Sequence, residues 1–238
     1  MRNSFPGFPP EALAFFRSLE RNNNRDWFQP RKELFEQLLK RPMAELVGAV
    51  NGGLARFAPD YVNEPEKAIY RIYRDTRFSP DKTPYKTHIA AIFPRRGLEK
   101  HASAGFYFHV SAKAVAVAGG LYMPGPEELL AVRKHLASEH AAFRRLLAAK
   151  KLRGAMGEMQ GEQLARVPKG FPAGHPAAGL LRYKQWLWYV DLDGKTATTS
   201  RLLTELLSRF RAVAPAVEFL NAPIIELRRK PAAQDFLD

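Results

Sequence analysis

Cysteine is absent from all 238 residues. That excludes disulfides, thiolate catalysis and cysteine-ligated metal, and it is compatible with a reducing compartment such as the cytoplasm. No apolar run approaches the ~20 residues needed to cross a bilayer. The opening Met1-Arg2-Asn3-Ser4-Phe5-Pro6 has no apolar h-region of a secretory signal. The expectation is a soluble, cytoplasmic protein with no membrane partner. A Gly-x-Ser-x-Gly elbow, a Walker loop, a dinucleotide glycine fingerprint and a His-Glu-x-x-His pair are all missing. His135 and His140 are five residues apart and do not share a helical face. No metal and no cofactor are expected, and the motifs do not decide whether the protein is an enzyme.

Acidic side chains are scarce. There are 24 against 37 Lys and Arg, a net charge of +13. Such a balance favours polyanionic partners, among them nucleic acid and phosphorylated metabolites, although scattered cations also serve solubility. The charge is spread along the chain, so no basic arm stands out. With 46% apolar residues the composition is that of a globular protein.

Helical spacing opens the chain. Pro9-Pro10-Glu11 suits a helix start, and Leu13, Phe16 and Leu19 share a face with Ala12 and Phe15. Asn22-Asn23-Asn24 breaks the pattern, with Asp26 as the expected cap of the next helix. Apolar residues from Leu34 to Phe57 keep helical spacing, divided at Pro42. Strands are expected at Ile69–Tyr73 and Tyr85–Phe93, then a hairpin from Phe106–Val110 to Val115–Ala118. Two helices follow, one around Leu129–Leu136 and one around Phe143–Leu147, then a proline-rich irregular stretch from Val167 to Pro176. A strand from Tyr183 to Asp191, a helix capped at Thr198–Ser200 and a short helix from Pro215 to Leu220 complete the pattern. Helices, then a block of strands, then helices argue for α+β with a central antiparallel or mixed sheet flanked by N-terminal and C-terminal helices. Residues 1–226 read as a single domain and 227–238 as a charged tail.

The segment from Arg74 to His88 is polar throughout except Phe78, and it holds two prolines. Ser79-Pro80-Asp81-Lys82 has turn chemistry, and Pro84 pushes Thr83 towards an extended conformation. A stiff loop lowers the entropy cost of converging cations on an anion. Arg71, Arg74, Arg77, Lys82 and Lys86 are the candidate cations for phosphate or carboxylate; Ser79, Thr83 and Tyr85 add hydroxyls. Asp75 and His88 are the acid–base candidates. The competing account is a solvated hairpin whose Asp and Arg residues pair internally. Arg25 could join the site from the Asn22–Trp27 segment, whose other account is capping and core packing. Lys169, with His175, Arg182 and Lys184, could close over the site or lie on a mere connector.

Arg71-Ile72-Tyr73-Arg74-Asp75-Thr76-Arg77-Phe78-Ser79, followed by Asp81-Lys82-Thr83-Pro84-Tyr85-Lys86, resembles the signature of the bacterial and fungal family called domain of unknown function 2461. Asn22-Asn23-Asn24-Arg25-Asp26-Trp27-Phe28, Gly119-Gly120-Leu121-Tyr122 with Pro124, and Pro168-Lys169-Gly170 with His175-Pro176 resemble further parts of it. The resemblance spans about Phe5 to Phe210 and implies a fold family without an established activity. The leading expectation is a basic pocket on the 74–88 loop that binds a small phosphate or carboxylate ligand, with an enzyme acting on a phosphorylated substrate as an extension. The alternatives are a non-catalytic nucleic-acid-binding module and a scaffold that docks an acidic protein. Oligomeric state is left open.

Overall fold

The computed structural model describes residues 4–229. Met1–Asn3 and Lys230–Asp238, the latter most of the expected tail, lie outside the described residues. Helices α1 (Pro10–Arg21), α2 (Arg25–Phe28), α3 (Lys32–Phe35), α4 (Arg41–Leu54) and α5 (Pro65–Ala68) come first. Strands β1 (His88–Pro94), β2 (Gly105–Ser111) and β3 (Ala114–Leu121) follow. Helices α6 (Pro126–Leu147), α7 (Lys150–Met156) and α8 (Ala178–Leu181) precede strand β4 (Trp186–Asp193) and the long helix α9 (Arg201–Arg229). The sheet is antiparallel, in the order β1-β2-β3-β4. The chain is therefore α+β, as the element order predicts. No helix among the described residues is long and apolar enough to cross a membrane.

Packing divides the chain into two compact units. The first holds the chain up to Phe93, Phe106–Val117 and Val190–Arg209. In it α1 buries Ala12, Leu13, Phe15, Phe16 and Leu19, the face its spacing predicts. The expected division at Pro42 takes another form. Residues 36–40 form a π turn, and Pro42 falls in the first turn of α4, where its missing N–H costs little. Phe28, Phe35, Leu39, Met43 and Leu46 are all buried.

Ile69–Tyr73 is not a strand. It makes two isolated antiparallel bridges, Ile69 with Ala91 and Tyr73 with Tyr85. Three residues separate the bridges on one side and five on the other. The two extra residues interrupt the ladder, so an extended segment carries only scattered bonds. The Tyr73–Tyr85 bridge nevertheless closes the root of the 74–84 loop, with the Arg74 N–H donating to the Pro84 carbonyl at 2.9 Å.

The second unit holds Pro94–Gly105, Ala118–Tyr189 and the chain from Phe210. Trp186, Trp188, Val132, Leu136 and Phe143 are buried in it. Asn221, at 0% exposure, donates to the Ala104 carbonyl and accepts from the Ala104 N–H, both at 2.8 Å. The two helices expected between Leu129 and Leu147 appear as α6, with non-helical dihedrals at Glu139. The expected break at Pro215 is absent: α9 runs through Pro215 and Pro223, and Leu227–Arg229 form its end rather than a tail. Each interior proline costs about 3 kcal/mol. A continuous buried stripe that includes Phe210, Val213, Val217, Leu220 and Ile224 outweighs that cost.

Candidate functional site

The loop is stiff, and most of its cations are committed to its own acids. Arg74 donates to both Asp81 and Thr83. Asp81 accepts from the Thr83 N–H at 2.9 Å and from its hydroxyl at 2.8 Å. Arg77 grips Asp75 through Nε at 3.0 Å and Nη2 at 2.8 Å. Lys82 Nζ donates to the Thr76 carbonyl at 2.9 Å. Hydrogen bonding from Arg77 holds the Asp75 carboxyl down to about 2, and bonds from Thr83 and Arg74 do the same for Asp81. Both are ionised at neutral pH, so Asp75 serves as the partner of Arg77. Ser79 lies near the tip, half-buried, its N–H within 3.4 Å of the Thr76 carbonyl.

Tyr85 turns inward. It is 1% exposed and stacks on Phe28, with ring centroids 4.1 Å apart. Its backbone is gripped from both sides by one side chain: Asn23 Nδ2 donates to the Tyr85 carbonyl at 2.9 Å, and the Tyr85 N–H donates to Asn23 Oδ1 at 3.1 Å. The three consecutive asparagines thus do three jobs. Asn22 closes α1 by donating to the Ser18 carbonyl, Asn23 clamps the loop, and Asn24 caps α2 by accepting from the Trp27 N–H at 2.9 Å. Asn24 displaces Asp26 as the expected cap because its extended backbone aims the side chain at the first turn. Trp27 is half-buried against Phe15 and carries the Arg31 guanidinium 4.7 Å above its ring. Arg25 is exposed on the first turn of α2.

A cleft of about 530 Å³ opens in this first unit. Its walls are Phe28, Phe35, Ile69, Ile72 and Ile89, with Tyr70 and Tyr73. Lys32, Lys40 and Arg71 supply positive charge, Glu36 and Glu66 negative. Lys40 is paired with Glu36 at 3.0 Å. Arg71 and Lys32 make no hydrogen bond or ion pair among the described residues. Periodicity gives no hint of Lys32, because it sits on an exposed turn where one lysine reads like any other.

His88 lies on the polar side of β1. Its ring centroid is 4.6 Å from that of His109, whose Nδ1 is 3.1 Å from the Tyr107 hydroxyl. Tyr107 packs edge-on to Tyr70 at 6.3 Å, and Lys86 Nζ sits 5.0 Å over the Tyr70 ring. Burial first, then His109 and Lys86, push His88 down to about 4. Burial also lowers His109, against a raising pull from Asp191. The alternation of Tyr107 and His109 along β2 marks these residues as one face in the sequence; their pairing with His88 depends on strand register. Among the described residues, no three His, Asp or Glu side chains cluster as metal ligands.

The separated titrations predict two acid steps. A neutral His88 stabilises the fold fully above its unfolded value of 6.5. As pH falls from 6.5 to about 4, the unfolded chain binds a proton that folded His88 refuses, so stability drops by an upper bound of roughly 3 kcal/mol. Asp75 and Asp81 contribute above 3.8 and lose that contribution as pH falls through about 2. Urea midpoints at about pH 7.5 and about pH 4.5 are expected to fall more for the wild type than for His88→Asn. Equal falls would show that His88 titrates normally in the fold.

Lys169 belongs to the second unit and is exposed on a turn. There His175 Nδ1 accepts from the Ala177 N–H at 3.0 Å, Arg182 donates to the Leu164 carbonyl at 2.7 Å, and Lys184 pairs with Glu162 at 2.5 Å. The His175 bond lies within the proline-rich stretch's own end, and the other two tie Glu162 and Leu164 to the segment before β4.

One family, described as conserved hypothetical protein (DUF2461), matches residues 11–219. No curated protein and no solved structure matches the sequence.

Proposed function

The chain belongs to the conserved hypothetical family DUF2461, and from that premise we propose that it binds a small anionic ligand with an apolar body in the cleft at the root of the 74–84 loop. The observation that carries this reading is the cleft itself: about 530 Å³ of apolar and aromatic wall, also lined by Arg71 and Lys32, which make no hydrogen bond or ion pair among the described residues, though the charge of Arg71 acts on Asp75. Cavities of this size hold small molecules, with few polar groups fixing orientation. An arginine there offers a bidentate fork to phosphate or carboxylate. Arg74 and Arg77, spent on Asp81 and Asp75, act as the stiffening of the rim. His88 does not line the cleft; its ring lies on His109, which contacts Tyr107, which in turn packs on Tyr70 of the cleft wall. No reaction is assigned.

Thermal-shift titration with phenyl phosphate, benzoate and inorganic phosphate tests the proposal. Phenyl phosphate is expected to stabilise more than inorganic phosphate, because only it fills the apolar walls. Arg71→Ala is expected to weaken binding by about tenfold or more, the worth of a charge-assisted hydrogen bond. Arg77→Ala is expected to leave the affinity within about twofold, since that side chain serves Asp75. Undiminished stabilisation in the Arg71→Ala, Lys32→Ala double variant would sink the cleft as the site.

A further inference from the structure

The loop presents one apolar group to water. Phe78 is 93% exposed at its tip, with the Arg77 guanidinium 5.8 Å from its ring centroid. A single exposed phenyl is ordinary by itself, but one held on a loop this firmly braced is presented to a partner at little ordering cost. Tyr73, at the root of the loop, is 42% exposed. Around these rings the segment carries Arg71, Arg77 and Lys82, all exposed, in a chain of net charge +13. Basic residues interleaved with exposed aromatics, on a backbone braced in advance, form a stacking platform.

We propose that the loop is a stacking finger for single-stranded nucleic acid, with a base seated on Phe78 and the phosphates running past Arg71, Arg77 and Lys82. A base stacks on a single flat ring and needs no pocket on the partner's side. The Arg77 guanidinium extends that platform as a second plane, since guanidinium groups also stack on bases. The charge of the chain matches a polyanion. A membrane fits less well, because one phenyl ring with no apolar neighbour on the loop buries too little for stable anchoring. This surface meets the cleft at Arg71 and Tyr73, which line both, whereas Phe78, Arg77 and Lys82 do not line the cleft.

The test is fluorescence anisotropy with a labelled oligothymidylate of about ten nucleotides, a length within the site sizes of known single-strand binders. Wild-type protein is expected to bind it at low salt, more tightly than a duplex of equal length, with affinity falling as salt rises. Phe78→Ala is expected to weaken binding by roughly 5- to 150-fold, the worth of one stacked base, and Phe78→Trp to preserve it. Neither change is expected to alter the melting temperature, because Phe78 packs on nothing in the core. Wild-type binding that Phe78→Ala leaves unchanged overturns the proposal, as does no binding at all. Binding to phosphatidylserine vesicles in place of the oligonucleotide also overturns it and assigns the finger to a membrane. Arg71→Ala that abolishes phenyl phosphate binding while Phe78→Ala does not keeps the two sites separable.

Discussion

Gly120→Ala is expected to cost about 3 kcal/mol or more, enough to threaten folding of the second unit. Gly120 sits at φ +128, where a side chain strains the backbone. A Cβ there would lie 2.2 Å from the Trp186 carbonyl oxygen and 3.1 Å from Leu187 Cα. Both contacts are backbone atoms of β4, so no rotamer change relieves them. They belong to the strand that carries the buried Trp186 and Trp188. Urea unfolding of the variant checks the prediction against Gly48→Ala. Gly48 is exposed within α4 and has nothing within 4 Å of the added Cβ. That change is expected to be neutral or to stabilise by about 0.5–1 kcal/mol. A Gly120→Ala variant as stable as wild type would mean that β3 and β4 lie further apart than described. Gly120 thus has a steric account: β3 approaches β4 too closely there for any Cβ.

Asn23→Ala is expected to cost roughly 2–3 kcal/mol, because it removes two part-buried hydrogen bonds and leaves the Tyr85 N–H and carbonyl unsatisfied. The effect should be local before it is global. Tyr85 anchors the far side of the loop root, with its ring on Phe28 and its bridge to Tyr73. Hydrogen exchange is expected to speed up at the Arg74 and Lys86 amides, which bond to the Pro84 and Ile72 carbonyls. Asn23→Asp keeps the acceptor and loses the donor, so it should cost less than the alanine change. Unchanged exchange at Arg74 in Asn23→Ala would show that the prolines and the Arg74–Asp81–Thr83 network hold the loop without help from the asparagine.

These two positions also bear on how the loop works. A loop held at its root by Asn23 and along its length by Arg74, Arg77 and Lys82 cannot close freely around an anion. It can hold Phe78 in a fixed place. Of the cations expected from composition to converge on one ligand, Arg74, Arg77 and Lys82 bond within the loop, and Lys86 sits over the Tyr70 ring. The reason is reach. Asp75 lies two residues from Arg77 and Asp81 seven from Arg74, so each arginine meets its own acid at a high effective concentration.

Much of the architecture was legible from the amino-acid order. Helical spacing identified α1 and its buried face, alternation identified β1 and the β2–β3 hairpin, and the order of elements identified an α+β chain with an antiparallel or mixed sheet, which the structure makes antiparallel. The polar composition and two prolines marked 74–88 as a stiff loop, but its turn falls at Thr76–Ser79, where the Ser79 N–H faces the Thr76 carbonyl, and not at the expected Ser79–Lys82. Tertiary structure decided what depends on residues far apart in the chain. Asn23 finds Tyr85 across 62 positions, and Asn221 finds Ala104 across 117. The five-against-three spacing of the bridges denied Ile69–Tyr73 a strand, and a continuous buried stripe carried α9 through two prolines. Lys32 and Arg71 share a cleft only once α3 and the 69–73 segment are packed. Periodicity encodes which face of an element is buried; it does not encode which other element covers that face, and the candidate site is made of such pairings.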